Sequence, residues 1–177
     1  EKLDSSLLIV GPPGTGKTVL AIFRAKKLFE DNRKLNMYMY NKTLEDYTRN
    51  QTSDDYNFKK SIKRLQSYIS QKYKQFGWKV PFDKDNGGIN YEWVLGRFDS
   101  LDETDKSKLF PENIVIDEGQ DYPTAFYKLL AKFWMFTKQR DIKFCPTVMA
   151  DENQRINPEN NTTITQIEEI FGSFPEI

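Results

Sequence analysis

The 177-residue sequence predicts an α/β domain: a central, mostly parallel β-sheet flanked by helices. Three observations carry that expectation. Short apolar runs alternate with amphipathic stretches along the whole chain. One apolar run, Leu7–Val10, opens into Gly11-Pro12-Pro13-Gly14-Thr15-Gly16-Lys17-Thr18 and then into a helical pattern, the setting a phosphate-binding loop needs. Another, Asn113–Ile116, ends on Asp117-Glu118 and so puts two carboxylates at the sheet edge where such folds bind ligands.

Taken in order, Leu7–Val10 reads as a short buried strand. Residues 17–29 read as a helix with Val19, Ile22, Ala25 and Phe29 on its apolar face and Arg24, Lys26 and Lys27 elsewhere. A polar turn at 31–34 leads to a second strand at 35–40. Thr43 then stands as N-cap of a helix through Leu44 and Tyr47. Residues 51–110 read as a mixed insertion. Within it Ile62, Leu65, Ile69, Tyr73 and Phe76 share one helical face, and Gly77 ends that helix. Residues 61–64 also fit a strand. Tyr91–Phe98 is a short amphipathic piece, and Asn113–Ile116 is the third strand. Pro123 suits the first position of a helix whose apolar face holds Phe126, Leu129, Leu130, Phe133 and Phe136. Residues 143–150 form a fourth strand, with Pro146 arguing against a central place in the sheet. Thr162 or Thr163 caps a last helix, Ile164–Phe171, closed by Gly172.

Composition narrows the chemistry. There is no histidine, which removes Ser-His and Cys-His catalysis and His-ligated zinc. Cys145 is the only cysteine; it excludes an intrachain disulfide and reads as a small buried residue. Mean hydropathy is −0.70, and no apolar run approaches the ~20 residues of a membrane helix. Without a signal-peptide pattern, the expected compartment is the cytoplasm, away from membranes. The 26 basic and 26 acidic side chains balance, which argues against a purely electrostatic nucleic-acid binder but not against a local basic face. The charges are segregated: residues 59–79 hold seven bases and no acid, while 83–121 hold eleven acids and four bases. The basic stretch reads either as a stacking groove for single strands, or as a helix whose aromatics are core and whose lysines pair with the acidic region. The second reading is favoured, because Tyr73 and Phe76 lie on the apolar stripe.

The residue types of the loop explain its chemistry. Gly11, Gly14 and Gly16 let the backbone turn its N–H groups inward as an anion nest, and the following helix adds its positive end. Lys17 is placed for the β and γ phosphates and Thr18 for Mg²⁺. Asp117 would hold the metal, and Glu118 would orient or deprotonate the attacking water. Gln154, after the strand ending at Asp151, can hydrogen-bond the γ-phosphate or that water.

These motifs resemble a known family. The loop at 11–18, Asp117-Glu118-Gly119-Gln120-Asp121 and Ala150-Asp151-Glu152-Asn153-Gln154 together resemble the first RecA-like domain of superfamily 1 helicases of the UvrD/Rep type. Met39-Tyr40-Asn41-Lys42-Thr43-Leu44 is similar to the family's motif Ia, and Gln66-Ser67-Tyr68 occupies the place of motif Ib. The resemblance implies a P-loop ATPase with ATP and Mg²⁺ as cofactors, coupled to movement on single-stranded DNA or RNA. It assigns the phosphates to residues 11–18, the metal to Thr18 and Asp117, and catalysis to Lys17, Glu118 and the γ-phosphate sensor Gln154. It gives Asn41, Lys42, Ser67 and Tyr68 to the nucleic acid and makes Gln120 the coupling residue.

Three departures bear on function. The family's adenine-reading glutamine would precede residue 1. Arg155-Ile156-Asn157-Pro158 replaces the aromatic and Arg-Gly-Ala that approach DNA. The second RecA-like domain, source of an arginine finger, would begin where the chain stops. The expectation is therefore one RecA-like domain over 1–177, a fragment that needs a second domain or partner chain and hydrolyses ATP weakly alone. The alternative is a helicase-like ATP-dependent switch or interaction module without unwinding activity.

Overall fold

The computed structural model describes residues 3–52, 55–83, 88–151 and 162–171. Along the chain run β1 (Leu7–Val10), α1 (Lys17–Glu30), β2 (Leu35–Met39), α2 (Lys42–Thr52), α3 (Tyr56–Ser61), β3 (Ile62–Arg64) and α4 (Leu65–Gln75). There follow β4 (Phe82–Asp83), β5 (Gly88–Ile89), α5 (Tyr91–Phe98), α6 (Glu103–Ser107), β6 (Asn113–Ile116), α7 (Thr124–Lys138), β7 (Cys145–Ala150) and α8 (Ile164–Phe171). Five strands make one sheet in the order β1-β7-β6-β2-β3, with every neighbouring pair parallel. A separate antiparallel pair joins β4 to β5.

Alternation along each strand divides the core. Tyr38, Ile114, Ile116, Val148 and Ala150 pack on one face with residues of α4, α5, α7 and α8. Met37, Met39, Val115 and Met149 pack on the other with Ala21, Ala25 and Leu28 of α1 and Phe58 of α3. Both faces are covered, so the strands read as continuous apolar runs rather than alternating ones. Cys145 is buried, and that burial raises its thiol pKa.

Pro146 does sit in a central strand, and the hydrogen-bond pattern explains it. The Cys145 N–H donates to the Glu112 carbonyl on the β6 side at 2.8 Å. One residue on, the backbone of Pro146 turns toward β1, where pairing begins only at Thr147. The missing donor falls where no partner strand runs.

The helix expected along Ile62–Phe76 begins only at Leu65; the strand alternative for 61–64 holds as β3, which follows the short helix α3. Ile62 belongs to β3, paired with Met37, and only Leu65, Ile69 and Tyr73 of the proposed stripe lie within α4. Gly77, with φ 71°, follows its end. Helix α1 is rotated from its expected phase. Its buried stripe is Ala21, Arg24, Ala25 and Leu28, while Val19 is 68% and Phe23 59% exposed. Small alanines let the helix lie close on the sheet. Arg24 is buried because its guanidinium donates to Thr147 Oγ1 at 2.7 Å and to the Ser5 carbonyl at 2.8 Å.

Helix starts shift by a residue or two. Asn41, not Thr43, caps α2 by accepting from the Leu44 N–H at 2.9 Å. Pro123 is the residue before α7 rather than its first. Thr163 caps α8: its hydroxyl accepts from the Gln166 N–H, and the Gln166 side chain returns a bond to the Thr163 N–H. Gly172 lies outside the described residues. Among the described residues no helix is long and apolar enough to cross a membrane.

Candidate functional site

Topology brings the expected residues together. Strand β7 lies between β1 and β6, with Val10 opposite Ala150 and Val148 opposite Ile116. All three strands are parallel, so the glycine loop, Asp151 and Asp117 emerge side by side at one edge. The Gly11 N–H donates to the Ala150 carbonyl at 3.3 Å, and the Asp117 N–H to the Tyr38 carbonyl at 3.1 Å.

Gly14 and Gly16 take φ of 77° and 83°, the left-handed region that a Cβ penalises. Gly16 precedes α1 without a side-chain cap, so the first-turn N–H groups of the helix carry no such partner. The Thr15 hydroxyl braces the loop by donating to the Pro12 carbonyl at 2.8 Å. The Lys17 ammonium folds over the loop, donating to the carbonyls of Gly11 at 2.7 Å and Pro12 at 2.8 Å. It also lies 3.5 Å from Asp151 Oδ2. An uncapped helix end, two left-handed glycines and a lysine form a concavity whose donors suit an anion.

Asp117 is buried, and its Oδ2 has no hydrogen-bond partner. Burial raises its pKa to about 6, against the lowering effect of the nearby Thr18 hydroxyl. A buried carboxylate with an orphaned oxygen beside a hydroxyl fits a hard divalent cation. Mg²⁺ takes one or two carboxylates and leaves its other positions to phosphate and water. Among the described residues no group of three or more His, Cys, Asp or Glu could hold a metal by itself.

Glu118 adopts a left-handed conformation, φ 52° and ψ 49°, uncommon for a glutamate. The strain turns its side chain from the strand line and starts a 3₁₀ turn at Gly119–Asp121. Glu118 Oε2 accepts from Gln120 Nε2 at 2.7 Å, and Gln120 Oε1 accepts from the Asp151 N–H at 2.9 Å. Gln120 is buried and ties the ends of β6 and β7 together. Gly119 makes this turn possible by its lack of a side chain. A Cβ there would stand 2.4 Å from Val148 Cγ1 and 2.9 Å from the Tyr127 hydroxyl, which donates to the Gly119 carbonyl at 2.5 Å. Gly119→Ala is expected to cost about 1–3 kcal/mol by overpacking and to displace Glu118; thermal unfolding of the variant checks it.

Three contributors carried no assigned role in the sequence reading: Asp151, Gly119 and Tyr127. Asp151 had a signal, an apolar strand ending in a carboxylate like β6. Gly119 and Tyr127 had none, because their part depends on the distance between α7 and the 3₁₀ turn. Gln154 lies outside the described residues.

The residues assigned to nucleic acid are distributed less favourably. Lys42, at the start of α2, and Ser67, in the first turn of α4, are exposed on the sheet's ligand edge. Asn41 is engaged as a helix cap. Tyr68 is buried, its hydroxyl donating to the Leu109 carbonyl at 2.8 Å and its ring against Tyr38 and Phe110, so it has no free face for a base. In the segment 59–79 the aromatics are indeed core, Tyr68 and Tyr73 fully and Phe76 and Trp78 partly. The expected pairing of its lysines with the acidic stretch is not found: among the described residues no ion pair joins them, and only Arg64 meets an acid, Glu45 at 3.3 Å.

The family model described as Schlafen group 3, DNA/RNA helicase domain, matches residues 4–176. No curated protein matches the chain.

Proposed function

The chain belongs to the Schlafen group 3 DNA/RNA helicase domain family, and from that premise we propose that it is the Mg-ATP-hydrolysing core of a superfamily 1 helicase or translocase acting on single-stranded nucleic acid. The observation that carries this reading is the convergence of Lys17, Thr18, Asp117 and Glu118 at one edge of a parallel sheet. The loop N–H groups and Lys17 hold the phosphates, for which Lys17 exchanges its two loop carbonyls. Thr18 and Asp117 would hold a Mg²⁺, which when bound would neutralise the charge that develops on the phosphates. Glu118 orients the water and accepts its proton, steadied by Gln120. Gln120 also grips the Asp151 backbone, so a shift of Glu118 is felt at the end of β7.

No arginine among the described residues is free to serve the transition state. Among the described residues Arg24 is buried, and Arg33, Arg49, Arg64 and Arg140 are paired with acids. Arg97 lies over Trp78 and Trp93. A second RecA-like domain or a partner chain is the source in this reading. Such an arginine is worth roughly 10³–10⁵ in rate in comparable enzymes. The test is the ATPase rate with and without single-stranded DNA or RNA. Stimulation by nucleic acid supports the motor. Nucleotide binding with an unstimulated rate would replace it with an ATP-dependent switch, an outcome the engaged Asn41 and buried Tyr68 make worth measuring.

A further inference from the structure

Two lysines from separate elements lie over the Tyr68 ring, and a third, Lys108, at the C-terminal end of α6, is a charge neighbour of Lys72. Lys63 of β3 and Lys72 of α4 place their ammonium groups 5.3 and 5.6 Å from the centre of the same ring. Lys108 precedes Leu109, whose carbonyl takes the Tyr68 hydroxyl. Lys63 lies in register with Tyr38, so it leans over the larger core rather than into solvent. Among the described residues none of the three has a carboxylate partner. Glu45, in the neighbouring helix α2, is occupied by Arg49 at 2.9 Å and Arg64 at 3.3 Å.

We propose that Lys63, Lys72 and Lys108 form a phosphate-binding site on the outer flank of the sheet, whose ligand is the phosphodiester backbone of a nucleic acid. Position separates it from the nucleotide site: β3 is the edge strand at the far side of the sheet from β1. Lys72 is seven residues into α4, about 10 Å down the helix from the ligand edge, and Lys108 lies before the start of β6. Energetics supports a ligand. Burial, and then the neighbouring charges of Lys72 and Arg49, lower the Lys63 pKa; burial and then Lys108 lower that of Lys72. Half-buried like charges without counter-charges are unfavourable in the free chain, and an anion relieves them. Chemistry selects phosphate backbone over base. The amines are point charges without a planar fork, and the ring beneath them is already packed on both Tyr38 and Phe110. The site therefore grips without reading sequence, beyond the strand path marked by Lys42 and Ser67.

The ligand assignment rests on the nucleic-acid reading above; the phosphate chemistry does not. The test is an amine-labelling footprint of the unmodified chain, read at each lysine by mass spectrometry, with a single-stranded oligonucleotide and, separately, with tripolyphosphate. The expected result is protection of Lys63, Lys72 and Lys108 by the oligonucleotide at lower concentration than by tripolyphosphate. The combined variant Lys63→Gln, Lys72→Gln, Lys108→Gln should then bind the oligonucleotide on the order of tenfold more weakly, with the salt slope reduced by about 2, and bind Mg-ATP unchanged. Oligonucleotide binding that leaves the three lysines labelled would overturn the site while sparing the nucleic-acid reading. If no oligonucleotide binds, that reading fails, and protection by tripolyphosphate alone overturns the backbone assignment in favour of a free polyphosphate site. Protection by neither overturns the site altogether.

Discussion

Replacing Glu118 by Gln is expected to lower ATP hydrolysis by roughly 10²–10⁴-fold while leaving Mg-ATP bound, the range a positioned general base contributes. That is about 3–5 kcal/mol of barrier. The substitution suits the site. Gln keeps the length of the side chain and an oxygen that still accepts from Gln120 Nε2. It is no worse than Glu at the left-handed φ of 52°, so fold and nucleotide affinity should change little. What it loses is the charge proposed to take the proton of the attacking water. Single-turnover hydrolysis measures the rate even where turnover is slow, and a binding titration with Mg-ATP shows that the site is filled. A variant that hydrolyses within threefold of the parent would remove Glu118 from its proposed role. Lys17→Ala should differ in kind: it removes a phosphate contact as well as charge, so affinity and rate fall together.

The contrast with Gln120 shows how far local sequence reaches. The loop at 11–18 is legible because its chemistry is local: glycines, lysine and threonine act within one turn of the backbone that carries them. Asp117-Glu118 is nearly as legible, since the apolar strand residues Ile114–Ile116 fix where the carboxylates that follow emerge. The role of Gln120 is not local. It follows from the adjacency of β6 and β7, and that adjacency is a property of strand order rather than of any motif. The same holds for Pro146, whose place is safe only because β1 starts pairing at Thr147. Helix α1 fails for a related reason. Its periodicity offers two apolar stripes, and the one that packs is chosen by the fit of Ala21 and Ala25 against the sheet and by the partners waiting for Arg24. The basic stretch at 59–79 combines both lessons. Its aromatics obey the helical pattern and are core, but its charges answer to tertiary neighbours, and the acids nearby in sequence are not the ones nearby in space.

Asp117→Asn should move stability in two opposite directions. Without nucleotide the variant is expected to be more stable than the parent, by on the order of 1–3 kcal/mol at neutral pH. The parent keeps a buried carboxylate with an unpartnered oxygen, and burial lifts its pKa from 3.8 to about 6. The sign follows from linkage. A folded-state pKa above the unfolded value gives stability that is complete below about pH 4 and is lost as pH rises through about 6. The difference between parent and variant unfolding curves, measured at pH 4, 5 and 7.5, should therefore open as pH rises, because Asn does not titrate. With Mg-ATP the order reverses. A ligand at 100 times its dissociation constant stabilises the parent by about 2.7 kcal/mol, and the variant, lacking the carboxylate proposed to hold the cation, is expected to lose most of that shift. An apo variant less stable than the parent at pH 7.5 would mean that Asp117 is a structural acid whose charge is satisfied by the fold. A variant that keeps the full Mg-ATP shift would mean that the cation is held without it. Only a carboxylate kept at a cost for a ligand gives both results together, and that combination separates a metal site from an acidic turn after a strand.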